Sequence, residues 1–129
     1  MMTSSPGPVV LIVDDAEDCV ATMDIALQAV PGIVIRSAAS AEAALAALEN
    51  EPICAVITDL QLPGMSGLDL IASMRGHAKW NMLPIVAVSA AADAGLPKAA
   101  LESGANAFFP KPFSPAALRK KLEELIYAR

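Results

Sequence analysis

Three stretches of the chain, "VVLIV" (9–13), "ICAVI" (53–57) and "PIVAV" (84–88), are apolar without a break. A strand with one wet face alternates polar and apolar residues. A continuous apolar run is what a parallel strand shows when helices cover both of its faces. Parallel strands also need long crossovers, and the intervening segments have helical periodicity. Val20, Met23, Leu27 and Val30 share a face after the first run, and Leu68, Ile71 and Met74 share one after the second. Two shorter strands complete the set, "IVIRSA" (33–38) and "NAFF" (106–109). Ser40 is placed to cap an Ala-rich helix with Leu45 and Leu48 facing inward, and Ser66 to cap the third helix. Gly95 and Pro97 delay the fourth helix until about Leu96, and Gly104 ends it. Ser114 and Pro115 open the fifth, whose stripe is Leu118, Leu122, Leu125 and Ile126. Five strands alternating with five helices predict an α/β fold, a doubly wound five-stranded parallel sheet. A short polar segment, 1–8, precedes a single domain at 9–129.

Composition narrows the function. The chain has 129 residues, 55% of them hydrophobic, which suits one aliphatic core and excludes a disordered chain. Its net charge of −5 argues against a nucleic-acid partner, which would call for a basic face. No apolar run approaches the ~20 residues of a membrane span. The first residues, "MMTSSPGP", do not read as a secretory signal, so the chain is expected in the cytoplasm. The two cysteines, Cys19 and Cys54, read as buried, reduced thiols. His77 reads as an exposed loop residue and Trp80 as a cap on the bottom of the core.

The polar residues at the strand ends are the informative ones. In open parallel sheets chemistry gathers at the carboxyl ends of the strands. Here those ends carry Asp14 and Asp15, then Asp59, then Ser89, then Lys111. Converging carboxylates repel, and a hard divalent cation such as Mg²⁺ relieves the repulsion while keeping room for phosphate oxygens. Asp14 and Asp15 suit a metal-holding pair, one direct and one through water. The carbonyl near Gln61 could complete the metal's ligands. Asp59 stands alone before a Pro- and Gly-containing loop and is the better phosphoryl acceptor. Lys111 and Ser89 suit the phosphoryl oxygens. The "GMSG" of that loop reads as a turn only.

These motifs together, "VDD", "TDLQLPGMSG", "VSA" and "PKPF", resemble the receiver domain of bacterial two-component response regulators, over nearly the whole chain. The resemblance implies a flavodoxin-like receiver fold. It implies Asp59 as the residue phosphorylated by a histidine kinase or a small phosphodonor. Asp15 would bind Mg²⁺ directly and Asp14 mostly through water, with Asp59 and the Gln61 backbone carbonyl as further ligands. Ser89 and Lys111 would hold the phosphoryl group, and the Lys111–Pro112 bond is often cis. Ser89 and Phe108 would act as the switch, with Phe108 favouring an inward pose, and would alter the surface of helix 4, strand 5 and helix 5. The partners implied are a histidine kinase or histidine phosphotransfer protein and an unidentified downstream protein target. Phe109 and Pro110 form an apolar patch that is either partner surface or core cover. Gln61 and Ala91 adjoin the site and would influence hydrolysis.

Other functions stay open on the sequence. The chain could be a phosphate shuttle or sink, either stand-alone or excised from a longer protein. A small phosphohydrolase with an aspartyl nucleophile would need an acid two residues after Asp59, where Gln61 stands. A flavin-binding protein is opposed by the few aromatics, 4% of the chain.

Overall fold

The computed structural model describes residues 7–90 and 93–127, so Ala91 lies outside the described residues. Ten elements follow one another: β1 (Val9–Val13), α1 (Glu17–Leu27), β2 (Val34–Ala38), α2 (Ala41–Asn50), β3 (Ala55–Asp59), α3 (Gly67–Arg75), β4 (Ile85–Ser89), α4 (Leu96–Ser103), β5 (Ala107–Pro110) and α5 (Pro115–Tyr127). All strand pairs are parallel, in the order β2-β1-β3-β4-β5. The chain leaves β1 toward one edge and returns to pair β3 on its other side, so the switch point lies between β1 and β3.

The unbroken apolar runs are explained by two cores. Side chains alternate across each strand. Val9, Leu11 and Val13, with Val56, Ile85 and Ala87, meet α2, α3 and α4 on one face. Val10, Ile12, Ala55, Ile57, Val86 and Val88 meet Met23, Leu27, Leu118 and Leu122 of α1 and α5 on the other. Each fully buried Leu, Ile or Val contributes about 1.5–3 kcal/mol by leaving water.

The expected serine caps are in place: Ser40 accepts from Ala43 N at 3.0 Å, Ser66 from Asp69 N at 3.1 Å and Ser114 from Ala117 N at 3.2 Å. α4 runs from Leu96 and ends at Gly104, whose φ of 122° favours glycine.

Several local expectations need correction. Val30 is buried, but it lies three residues beyond α1 in the turn to β2. In α2 the small Ala41 and Ala44 join Leu48 at the buried seam, and Leu45 is half-buried beside them. Close helix–sheet approach favours small side chains there. In α3, Leu70 is fully buried and Leu68 only partly. Cys19 is half-buried and Cys54, one residue before β3, is exposed. Trp80 does cover the core, at 7% exposure. His77 is not a free loop residue: its ring stacks on Trp80 with centroids 3.9 Å apart and planes 17° apart. Phe109 packs against the α1/α5 core, while Pro110 is exposed.

Candidate functional site

Asp14 follows β1 directly, and its backbone N–H extends the ladder to Ala38 O at 3.0 Å. Its side chain then folds back so that Oδ1 accepts the Ala16 N–H at 2.9 Å. Asp59 ends β3 in the same way, with Oδ1 accepting the Gln61 N–H at 2.9 Å. Both are turns in which an aspartate bonds the backbone two residues on. Each leaves its second oxygen facing the gap between β1 and β3. Gly67 closes the loop after Asp59: its N–H bonds Leu60 O at 3.1 Å, and a Cβ there would collide with the Asp59 carbonyl oxygen. That contact is why the loop carries glycine at this position. Gly64, at φ 75°, makes the turn expected of "GMSG".

Lys111 fills the gap. Its backbone N–H bonds Ser89 O at 2.9 Å, which fixes it beside the end of β4, and the Lys111–Pro112 peptide is cis, as in the related pattern. Its ammonium lies 2.8 Å from Asp14 Oδ2 and 2.9 Å from Asp59 Oδ2, with only 13% of the side chain exposed. Burial alone would lower the lysine's pKa. The hydrogen bonds and charges of Asp14 and Asp59 outweigh it and hold the pKa above the ordinary lysine range. Ser89 is buried at 1% beside this trio.

Of the expected residues, Asp14, Asp59 and Lys111 are in contact, and Ser89 adjoins them through the Lys111 backbone. Asp15 is exposed and stands with Asp14 in the wall of one cleft. Gln61 is exposed and enters the site by its backbone. Phe108 is half-buried against the α2–α4 core. One neighbour was not expected: Cys19 Sγ lies 3.4 Å from the Lys111 ammonium. Its place in the first turn of α1, just after the acidic pair, is the signal that could have found it. Two clefts flank the trio. One, of about 350 Å³, is lined by Asp18, Cys19, Thr22, Lys111, Pro112 and Phe113. The other, of about 440 Å³, is acidic, with Asp14, Asp15, Glu17 and Asp24 in its wall.

The donor set fits a small hard cation. Two buried carboxylates share one ammonium, which leaves negative charge uncompensated at the rim. Among the described residues no three acidic, histidine or cysteine side chains form a cage for a metal. Mg²⁺ does not need one, since it takes one or two carboxylates and keeps several waters.

A sequence model of the response regulator receiver domain matches residues 10–123. The chain belongs to the response regulator receiver family. The receiver is 35% identical over 78 residues to the chemotaxis protein CheY homolog of Campylobacter jejuni, covering 60% of each chain. It is 32% identical over 129 residues, all of its own length, to the transcriptional regulatory protein PrrA of Mycobacterium tuberculosis, and covers 54% of that protein. The receiver therefore spans about half to three-fifths of these relatives. A response regulator receiver protein from Pseudomonas putida superposes with a TM-score of 0.80 at 31% identity, covering 98% of this chain and 100% of the other. Receivers are signalling proteins of two-component systems rather than enzymes in the usual sense, and they bind Mg²⁺ in general. No helix among the described residues is long and apolar enough to cross a membrane.

Proposed function

We propose that this receiver, at 9–129, is a phosphoryl-accepting switch with Asp59 as the acceptor. The observation that carries the reading is the Asp14–Lys111–Asp59 trio: a buried carboxylate held at one oxygen by the backbone and at the other by a mobile cation. The Gln61 N–H fixes the Asp59 carboxylate, so its attack on phosphorus needs little reorganisation. In that step an Asp59 oxygen forms a bond to phosphorus as the donor's P–N bond breaks. The leaving imidazole of a phosphohistidine keeps the electron pair and is protonated. The Lys111 ammonium then turns from Asp59 to the new phosphoryl oxygens, and Ser89 offers its hydroxyl to another. Bound Mg²⁺ would supply charge neutralisation on those oxygens, held by Asp15, Asp14 and Asp59 with the Gln61 carbonyl. The acidic cleft on the Asp15 side supports cation entry from there. Movement of Ser89 would open space for Phe108 and alter the α4-β5-α5 surface.

The partners are a histidine kinase or histidine phosphotransfer protein in the cytoplasm, where ATP charges the kinase, and a downstream protein target. The net charge of −5 supports a protein rather than a nucleic acid as that target. A phosphohydrolase is not favoured, since Gln61 offers no proton to a leaving group. The test is mass spectrometry after incubation with acetyl phosphate and Mg²⁺. One phosphoryl adduct is expected in the wild type. Asp59→Asn should lose it while keeping its fold by circular dichroism, and excess chelator should prevent it. Labelling of Asp59→Asn at the wild-type rate would overturn the assignment.

A further inference from the structure

The Lys111 ammonium has three N–H donors and meets three acceptors. Two are charged carboxylate oxygens, at 2.8 Å and 2.9 Å, and the third is Cys19 Sγ at 3.4 Å. A neutral sulfur is a weak acceptor, so the third donor is held far less firmly than the other two. Cys19 and Lys111 stand together in the wall of one cleft, by which a small anion can reach the ammonium. We infer that Cys19 is a positioning residue for Lys111: its thiol leaves one ammonium N–H under so poor an acceptor that an arriving phosphoryl oxygen takes it at little cost. The inference rests on Lys111 serving the phosphoryl group, and it deepens that reading by naming what sets the lysine's readiness to move.

Serine at position 19 is nearly the same shape and accepts more strongly. It would hold the third donor in the resting state and oppose the lysine's shift. The experiment measures phosphorylation rates with acetyl phosphate, in which acetate leaves as the Asp59–phosphorus bond forms, for a double-mutant cycle of Cys19→Ser and Lys111→Ala. Cys19→Ser is expected to slow uptake about three- to tenfold when Lys111 is present and to change it less than about twofold in Lys111→Ala. In the metal-free protein, exchange of the Lys111 ammonium protons with water, read by NMR, should be slower in Cys19→Ser. Equal slowing in both backgrounds, no slowing at all, or unchanged proton exchange would overturn the inference. Failure of the underlying reading looks different: the wild type would take up no phosphoryl group, whatever residue stood at 19.

Discussion

Two cations are sunk into opposite ends of the sheet, and they are answered differently. Lys111, at the carboxyl ends of the strands, is met by two carboxylates. Arg75, beyond the amino ends of β4 and β5, is met among the described residues only by neutral oxygens. It donates to Gly104 O at 2.9 Å, Trp80 O at 3.3 Å, Asn81 O at 3.1 Å and Asn106 Oδ1 at 3.1 Å. Asn106 Oδ1 also accepts the Ile85 N–H at 2.8 Å, so the cluster joins α3, the end of α4 and the starts of β4 and β5. The charge environments move the two groups apart. Burial, with no anion to offset it, lowers the Arg75 pKa, while the carboxylates raise that of Lys111. A guanidinium shared among four oxygens of two loops has no better place to go. An ammonium between two carboxylates would, on the proposed reading, once Asp59 becomes an acyl phosphate. If that reading holds, one end of the molecule is built to stay and the other to exchange partners.

Three variants probe that contrast. The largest effect on folding is expected at the neutral end. Arg75→Ala should cost about 3 kcal/mol, measured by urea denaturation, because four oxygens, two of them in part-buried bonds, lose a charged donor together. Its rate of phosphoryl uptake per folded molecule should stay at the wild-type value. A change in that rate matching Lys111→Ala would abolish the distinction between the ends.

Lys111→Ala should act the other way. Its response to the phosphoryl group, read as the change in α4-β5-α5 NMR shifts on phosphorylation, should weaken about tenfold. Mg²⁺ binding, by calorimetry, should be no weaker, since a competing positive charge is gone. The lysine's folded-state pKa lies above its unfolded value. Its stabilisation is therefore complete below the ordinary lysine pKa of about 10.4 and is lost as pH rises through the folded value. The stability gap between wild type and Lys111→Ala should be flat from neutrality to about pH 10 and narrow above it.

The smallest effect is expected from Gly104→Ala, about 1–2 kcal/mol. Its φ of 122° disfavours a side chain, and the new Cβ would lie 2.5 Å from Arg75 Cγ. A neutral result in thermal denaturation would mean that the Arg75 cluster yields more readily than its hydrogen bonds suggest.

The charged end was far more legible in the chain than the neutral one. Aspartates and a lysine at the ends of apolar runs stand out because a carboxylate there must find a partner. Arg75 gave no such sign: at the end of an amphipathic helix it reads as one more solvated cation. Its partners are mostly backbone carbonyls, and any residue type supplies those. His77 was hidden for a similar reason, since stacking on Trp80 depends on the path of a loop rather than on either residue's chemistry. Cys54 reads as buried, yet its side chain is exposed although its N–H already bonds Val9 O at 2.7 Å.

The order and type of the elements follow from local rules: unbroken apolar runs demand cover on both faces, serine caps start helices, and glycine ends them. So does the assembly of acids at one rim, once the strands are parallel. Tertiary structure alone decided that Asp14 rather than Asp15 turns inward to share Lys111 with Asp59, that Cys19 becomes the ammonium's third neighbour, and that Arg75 ties four segments together. Those outcomes depend on which groups from distant parts of the chain arrive within about 3 Å of one another, a distance that hydrogen bonds require and that sequence spacing does not encode.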